Sequence, residues 1–164
     1  MTNNLKAKAK HASYWKAKAK NAYKMYKKGL ERKKVYAVVE KDGLYAVIRI
    51  FNGKHKYMLA GGSVEKRESN EKAIIREINE ELNMHAEIIR SLGVIHYKVP
   101  FEYKNKKFEV GNIAEIFLAK YVSDANNKTH GVKGEFEERN TIELVTREEM
   151  LKEVEEFCVL GVKL

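Results

Sequence analysis

Apolar and polar positions along this chain follow two rhythms. Runs rich in β-branched and aromatic residues occupy 35–40 (VYAVVE) and 44–51 (LYAVIRIF), and Lys41-Asp42-Gly43 between them reads as a hairpin turn. A short strand near Tyr57 to Leu59 leads into a Gly61-Gly62 turn. The period then changes. Ile74, Ile75, Ile78 and Leu82 recur at helical spacing and predict a helix with a buried stripe. Ser69 or Asn70 can cap its start, and Asn83 suits its end because Asn tolerates the left-handed conformation. Strands are expected around 87–98 and 107–122, with a turn at Lys104-Asn105-Lys106. Residues 124–134 read as a loop, and a strand at 141–145 precedes a helix from 147 to 157. Thr146 and Glu149 have capping-box spacing at the start of that helix. Strands interrupted by one helix and closed by another make an α/β chain.

The first 34 residues follow a different rule. The pentapeptide KAKAK occurs at 6–10 and again at 16–20, and Ala and Lys both favour helix. Leu5, Ala9, Ala12, Ala19, Tyr23, Tyr26 and Leu30 fall roughly along one stripe with Trp15 nearby, so a basic helix is expected from 5 to 28, ending near Gly29. The segment holds eleven Lys and one Arg against Glu31 alone, a net +11 within a chain total of +9, which leaves −2 for the rest. Three readings stay open: a helix docked on the domain through Trp15, Tyr23 and Tyr26, a contact for a phosphate-rich partner such as RNA, and an anionic membrane surface. The basic segment can also steer polyanionic substrates.

The densest chemistry lies between Gly62 and Met84, GSVEKRESNEKAIIREINEELNM. At 100° per residue Glu77, Glu80 and Glu81 share one arc of the predicted helix. Like charges so spaced weaken a helix, by a few tenths of a kcal/mol per pair at i,i+4. Carboxylates crowded in this way call for a cation.

This segment resembles the Nudix box, G-x5-E-x7-R-E-U-x-E-E-x-G-U with U aliphatic. Gly62, Glu68, Arg76, Glu77, Ile78, Glu80, Glu81 and Met84 match, and Asn83 stands where the family has Gly. The chain is thereby identified as a member of the Nudix (MutT-like) hydrolases. The resemblance implies a mixed β-sheet sandwiched between helices over residues 35–164, with residues 1–34 as an added basic helix. It implies a metal-dependent hydrolase of a nucleoside diphosphate linked to another moiety, using Mg²⁺ or Mn²⁺. By the same resemblance Glu77, Glu80 and Glu81, with the Gly61 carbonyl, hold metal, Arg76 orients a glutamate, and Glu68 supports the site or binds a further metal. Gly62, Arg49 and Tyr97 are candidate substrate contacts. The general base, or an extra ligand, is expected on the loop carrying Glu135, Glu137 and Glu138.

The box does not select a substrate. Family members acting on ADP-ribose often carry Pro about sixteen residues after it, and Pro100, the only proline, has that spacing, though it can as easily break an edge strand or start the turn before Lys104. The tyrosine marker of the dinucleoside polyphosphate group is missing, since the positions concerned are Pro100, Phe101 and Glu102. ADP-ribose and nucleoside triphosphates, oxidised ones included, lead; an RNA 5′-end pyrophosphohydrolase and a nucleic-acid-binding protein with an inactive Nudix domain are the alternatives. Tyr97, Phe101 and Tyr103 either stack on a base or pack beside the sheet.

Composition narrows the setting. A chain of 164 residues with 44% apolar content suits one core, and Cys158 alone excludes a disulfide framework, so a cytoplasmic location is expected. No run is long enough to span a membrane, and no apolar signal core is expected at the N-terminus. His55, His85, His96 and His130 lack zinc-ligand spacing, and no phosphate loop of the GxxxxGK[ST] type occurs. The oligomeric state stays open, a homodimer included.

Overall fold

The computed structural model describes residues 2–51, 55–127 and 141–154, with side chains from Ala12 onward. The elements in order are α1 (Thr2–Lys27), β1 (Arg32–Lys41), β2 (Leu44–Arg49), β3 (Tyr57–Met58), β4 (Ala60–Ser63), α2 (Asn70–Leu82), β5 (Met84–Tyr103), β6 (Lys106–Asp124), β7 (Ile142–Val145) and α3 (Arg147–Glu153). They gather into two compact units, Met1–Lys33 with His96–Ile113, and Lys34–Ile95 with Ala114–Leu164.

The larger unit is built on a mixed sheet whose hydrogen-bonded order is β3-β2-β1-β6-β5, with β4 added to β1 and β7 to β2. Alternation along the strands divides their side chains between two cores. Val35, Ala37 and Val39 of β1 join Ala46, Ile48, Phe117 and Ala119 under Ala73, Ile74, Ile78 and Leu82 of α2. Val38 and Val47 point the other way and pack with Tyr57, Leu59, Ile116, Val145 and α3's Met150. The sheet is therefore covered by α2 on one face and α3 on the other.

The first hairpin turns on Asp42 and Gly43, at φ 53° and 80°, with Lys41 paired to Leu44. Two consecutive positive φ values match the right-handed twist of the flanking strands. Lys104 and Asn105, at φ 50° and 59°, do the same between β5 and β6, which run longer than the expected 87–98 and 107–122. Three further expectations are corrected. Ile75 is 37% exposed and Ala73 is buried, because the buried arc of α2 runs from Ala73 and Glu77 through Ile74 and Ile78 to Leu82, and Ile75 lies just past its edge. Gly61-Gly62 is not a turn but part of β4, with Tyr36 opposite Gly61 and Val35 opposite Gly62. The last helix stops at Glu153 rather than running to 157, because Val154 turns extended, bridges to Tyr57 and is fully buried; residues 155–157 lie outside the described residues.

Side-chain caps carry the helix ends. Ser69 accepts from Lys72 N–H, and Thr146 from Glu149 N–H. Asn83, at φ 53° and ψ 39°, ends α2 in the left-handed region. Its Oδ1 also accepts from Asn127 N–H at 2.9 Å, and its carbonyl from Ala125 N–H at 2.8 Å. Asn83→Ala should therefore lose about 1–2 kcal/mol, from φ strain plus a broken hydrogen bond, while Asn83→Gly should stay within about 1 kcal/mol, measured as urea stability.

A polar network ties β2, β3, β7 and α3. Tyr57, 1% exposed, donates its hydroxyl to Glu143 at 2.9 Å or Glu149 at 3.0 Å; Arg49 binds Glu143 at 2.9 Å and Lys56 binds Glu149 at 2.8 Å. Arg49 holds Glu143 below the usual carboxylate range, and Lys56, then Tyr57, does so for Glu149. Their folded values lie below the unfolded value, so their contribution is complete above about pH 4.5 and is lost as pH falls through the folded values. Tyr57→Phe should cost about 1–2 kcal/mol at pH 7. Its deficit against wild type should shrink below pH 4, which urea titrations at pH 7 and pH 3.5 would show.

In the smaller unit α1 ends at Gly29 (φ 62°), with Leu30 N–H reaching back to Met25 C=O at 3.0 Å. Ala22, fully buried, and Tyr23 pack with Phe101, Tyr103, Phe108 and Val110. Trp15 takes no part in that cluster and is 48% exposed. Among the described residues no helix is long and apolar enough to cross a membrane.

Candidate active site

The site residues of the larger unit meet where β4 passes the C-terminal half of α2. Arg76 is the organiser. Its Nε and Nη2 each lie 3.0 Å from a carboxylate oxygen of Glu68, a two-pronged grip. Nη1 donates to Glu77 Oε1 at 2.7 Å and lies 3.6 Å from Glu80 Oε2, and Nη2 also reaches Ser63 C=O at 3.2 Å. Arg76 is thereby held further toward its charged form, chiefly by Glu68. The same hydrogen bonds, followed by Glu65 N–H, push the Glu68 carboxyl below the ordinary range. Glu68 is delivered by a turn from Glu65 to Glu68 in which Arg67 takes the left-handed φ of 69°.

The two glycines explain themselves here. A Cβ on Gly61 would strike Val35 O and the Tyr36 side chain. A Cβ on Gly62 would strike the carboxylate of Glu77, whose Cδ would stand 2.7 Å away. Gly61 is required for close approach to the β1 backbone, whereas a larger residue at Gly62 would displace the end of the Glu77 side chain; neither glycine has a positive φ. Glu77 is 9% exposed and is the one buried carboxylate among the described residues. Its position on α2 also gives it a partner within hydrogen-bond reach, so burial is compensated by Arg76. Glu81 accepts from Gly61 N–H at 2.8 Å, which ties the helix to β4. Glu80 is half-exposed beside them.

The structure thus brings Gly61, Gly62, Glu68, Arg76, Glu77, Glu80 and Glu81 together. Arg49 is engaged by Glu143 instead, and Tyr97 is half-buried in the smaller unit. Phe101 stacks with Phe108 at 6.0 Å and Tyr103 lies 5.4 Å from Tyr23, so both pack against neighbours of their own unit. Glu135, Glu137 and Glu138 lie outside the described residues. Two groups carry no signal in the sequence that points to the site. Lys34 Nζ donates to Ser63 Oγ at 2.8 Å, because β1 pairs Lys34 with Ser63. Glu115 on β6 accepts from Asn70 Nδ2 at 2.8 Å at the start of α2. Neither is visible without the strand register, though Glu115 interrupts the apolar run from Ile113 to Ala119.

Every donor here is an oxygen, and the glutamates outnumber the one guanidinium among them, which suits a hard divalent cation. The missing Cβ of Gly62 leaves room for the Glu77 carboxylate beside β4, and the oxygen donors of Glu77, Glu80 and Glu81 are of the kind that such an ion takes. Among the described residues no three His, Cys, Asp or Glu side chains are already arranged to hold a metal, since Glu77 is turned to Arg76 and Glu81 to Gly61 N–H.

Comparison with known proteins gives the same outline. The family model described as NUDIX domain matches residues 31–157. A NUDIX hydrolase from Nitrosomonas europaea is similar in structure, at TM-score 0.55 and 20% identity over 75% of this chain and 77% of that one. The ORF135 protein of E. coli is similar at TM-score 0.50 and 19% identity, over 80% and 87%. A MutT protein from Methanosarcina mazei Go1 is 25% identical over 78% and 87%, at TM-score 0.47. No curated protein matches the sequence.

Proposed function

The chain belongs to the NUDIX domain family, whose members hydrolyse phosphorus anhydrides, and from that premise we propose that it cleaves a nucleoside diphosphate linked to another moiety by attack of water at phosphorus. The observation that supports this most is the Arg76 grip on Glu68 and Glu77, with the Glu77 carboxylate set against a glycine that leaves it room. In this reading Glu77, Glu80, Glu81 and the Gly61 carbonyl hold Mg²⁺ or Mn²⁺. When bound, the cation neutralises charge on the diphosphate and makes a water a better nucleophile.

The chain's own groups do the rest. Arg76 fixes the directions of Glu68 and Glu77, so that little reorganisation is needed on binding. Glu81, anchored to Gly61 N–H, keeps the β4 backbone in register with the helix. Lys34 and Ser63 place an ammonium and a hydroxyl at the rim, where a phosphate oxygen of the substrate would find them. A glutamate among Glu135, Glu137 and Glu138 takes the proton from the attacking water, or adds a ligand. Gly62, Arg49 and Tyr97 remain our candidates for contacts to the rest of the substrate. ADP-ribose and nucleoside triphosphates, oxidised ones included, are the leading substrates, and the cytoplasm is the setting we infer from the single cysteine.

A panel of nucleoside triphosphates, nucleotide sugars, dinucleoside polyphosphates, coenzymes and capped RNA, each with Mg²⁺ or Mn²⁺ and with chelator, tests this. One or more should be cleaved and chelator should stop it. Binding of nucleic acid by a protein inert on the whole panel would favour a binding module with an idle domain.

A further inference from the structure

We propose that the exposed part of α1 binds single-stranded nucleic acid, with its lysines on the phosphates and Tyr14 and Trp15 stacking on bases. This goes beyond the hydrolytic reading and does not depend on it.

Within its own sequence the helix offers its lysines no acid. No Asp or Glu precedes Glu31 in the sequence, and Lys16, Lys20 and Lys24 follow one another at i,i+4, a like-charge spacing that weakens a helix. A chain of phosphates at the surface removes that repulsion. Residues 12–17 are exposed one after another. Six successive helical residues go more than once round the axis, so exposed residues occur on every side of the helix here. The anchoring is done further along, by Ala22 and Tyr23 against Phe108 and Tyr103. Tyr14 and Trp15 are thus not docking anchors, and they stand 53% and 48% exposed.

Those two rings and a lysine form one cluster. Tyr14 and Trp15 meet edge to face at 5.6 Å, and Lys18 Nζ lies 4.7 Å from the Trp15 centroid and 5.6 Å from that of Tyr14. Aromatic faces beside ammonium groups are what a sequence-tolerant single-strand site needs, because every base has a π-face and every nucleotide a phosphate. An anionic membrane asks for an apolar face to insert, and the exposed apolar residues flanking the rings here are Ala12 and Ala17.

Trp15 is the only tryptophan, so its emission reports on the site directly. Full-length protein is titrated with twelve-nucleotide oligouridylate and oligothymidylate, with the matching duplex, and with phosphatidylserine–phosphatidylcholine vesicles. The expected result is quenching of Trp15 by both single strands, with log K falling against log[salt] at a slope of about −3 for about four phosphates. Trp15→Ala, followed by anisotropy of labelled oligonucleotide, should weaken binding about 5- to 100-fold, and Trp15→Phe should restore most of it. Replacing Lys16, Lys20 and Lys24 by Gln should flatten the salt slope without altering the circular dichroism spectrum. Binding that ignores Trp15→Ala, a preference for duplex, or vesicle binding tighter than oligonucleotide binding would each overturn the proposal.

Discussion

Glu80→Gln and Glu81→Gln, made singly, are each expected to lower Mg²⁺-dependent turnover of the best substrate by about three orders of magnitude, the scale of several kcal/mol of charge stabilisation. Fold stability should hardly move. Glu80 is half-exposed, and a glutamine there keeps the shape while removing the charge. Glu81 accepts a hydrogen bond from Gly61 N–H, and a glutamine carbonyl can accept it equally well. Steady-state turnover beside a urea titration checks both halves. A large activity loss with an unchanged urea midpoint is the expected pair; an unchanged activity would remove these two carboxylates from the site.

Arg76→Ala should do something different, harming fold and activity together. Arg76 is the cation that neutralises the buried Glu77 and holds Glu68 in a two-pronged grip. Without it a carboxylate that is 9% exposed loses its counter-charge beside Glu80 and Glu81. Breaking a buried pair costs about 3–5 kcal/mol, and the partial exposure of Arg76 lowers that to about 2–4 kcal/mol here. Lysine should rescue little, because a single ammonium cannot reach Glu68, Glu77 and Ser63 C=O at once. The measurement is the urea midpoint of Arg76→Ala and Arg76→Lys at pH 7. Full rescue by lysine would mean that charge alone, not the fork, holds the site.

Much of the fold is readable from the residues. The alternation at 35–40 and 44–49, the Asp42-Gly43 turn and the Ser69 and Thr146 caps are local effects, and local effects leave a local pattern. So does Asn83, whose tolerance of positive φ lets it stand where the family has glycine. Its second role, holding Asn127 N–H, depends on a residue forty-four positions away and has no sequence signal. The glycines teach the same lesson. Gly61-Gly62 looks like a turn, yet both are strand residues made glycine by neighbours, Tyr36 on β1 and Glu77 on α2. The basic helix is legible as a helix, but its apolar stripe overstates the docking. Tertiary packing uses Ala22 and Tyr23, and leaves Ala12 and Trp15 outside. Lys34 and Glu115 reach the site's edge only through strand register, which a single sequence does not carry.

The most direct test of the central claim is hydrolysis of the best panel substrate in ¹⁸O-water, with products read by mass spectrometry. Water attack at phosphorus predicts one ¹⁸O per turnover in a phosphoryl product, a nucleotide and a phosphorylated partner in equal amounts, and no label in either product's carbon-linked oxygens. Label at carbon, or no cleavage of any panel member with Mg²⁺ or Mn²⁺, would contradict it.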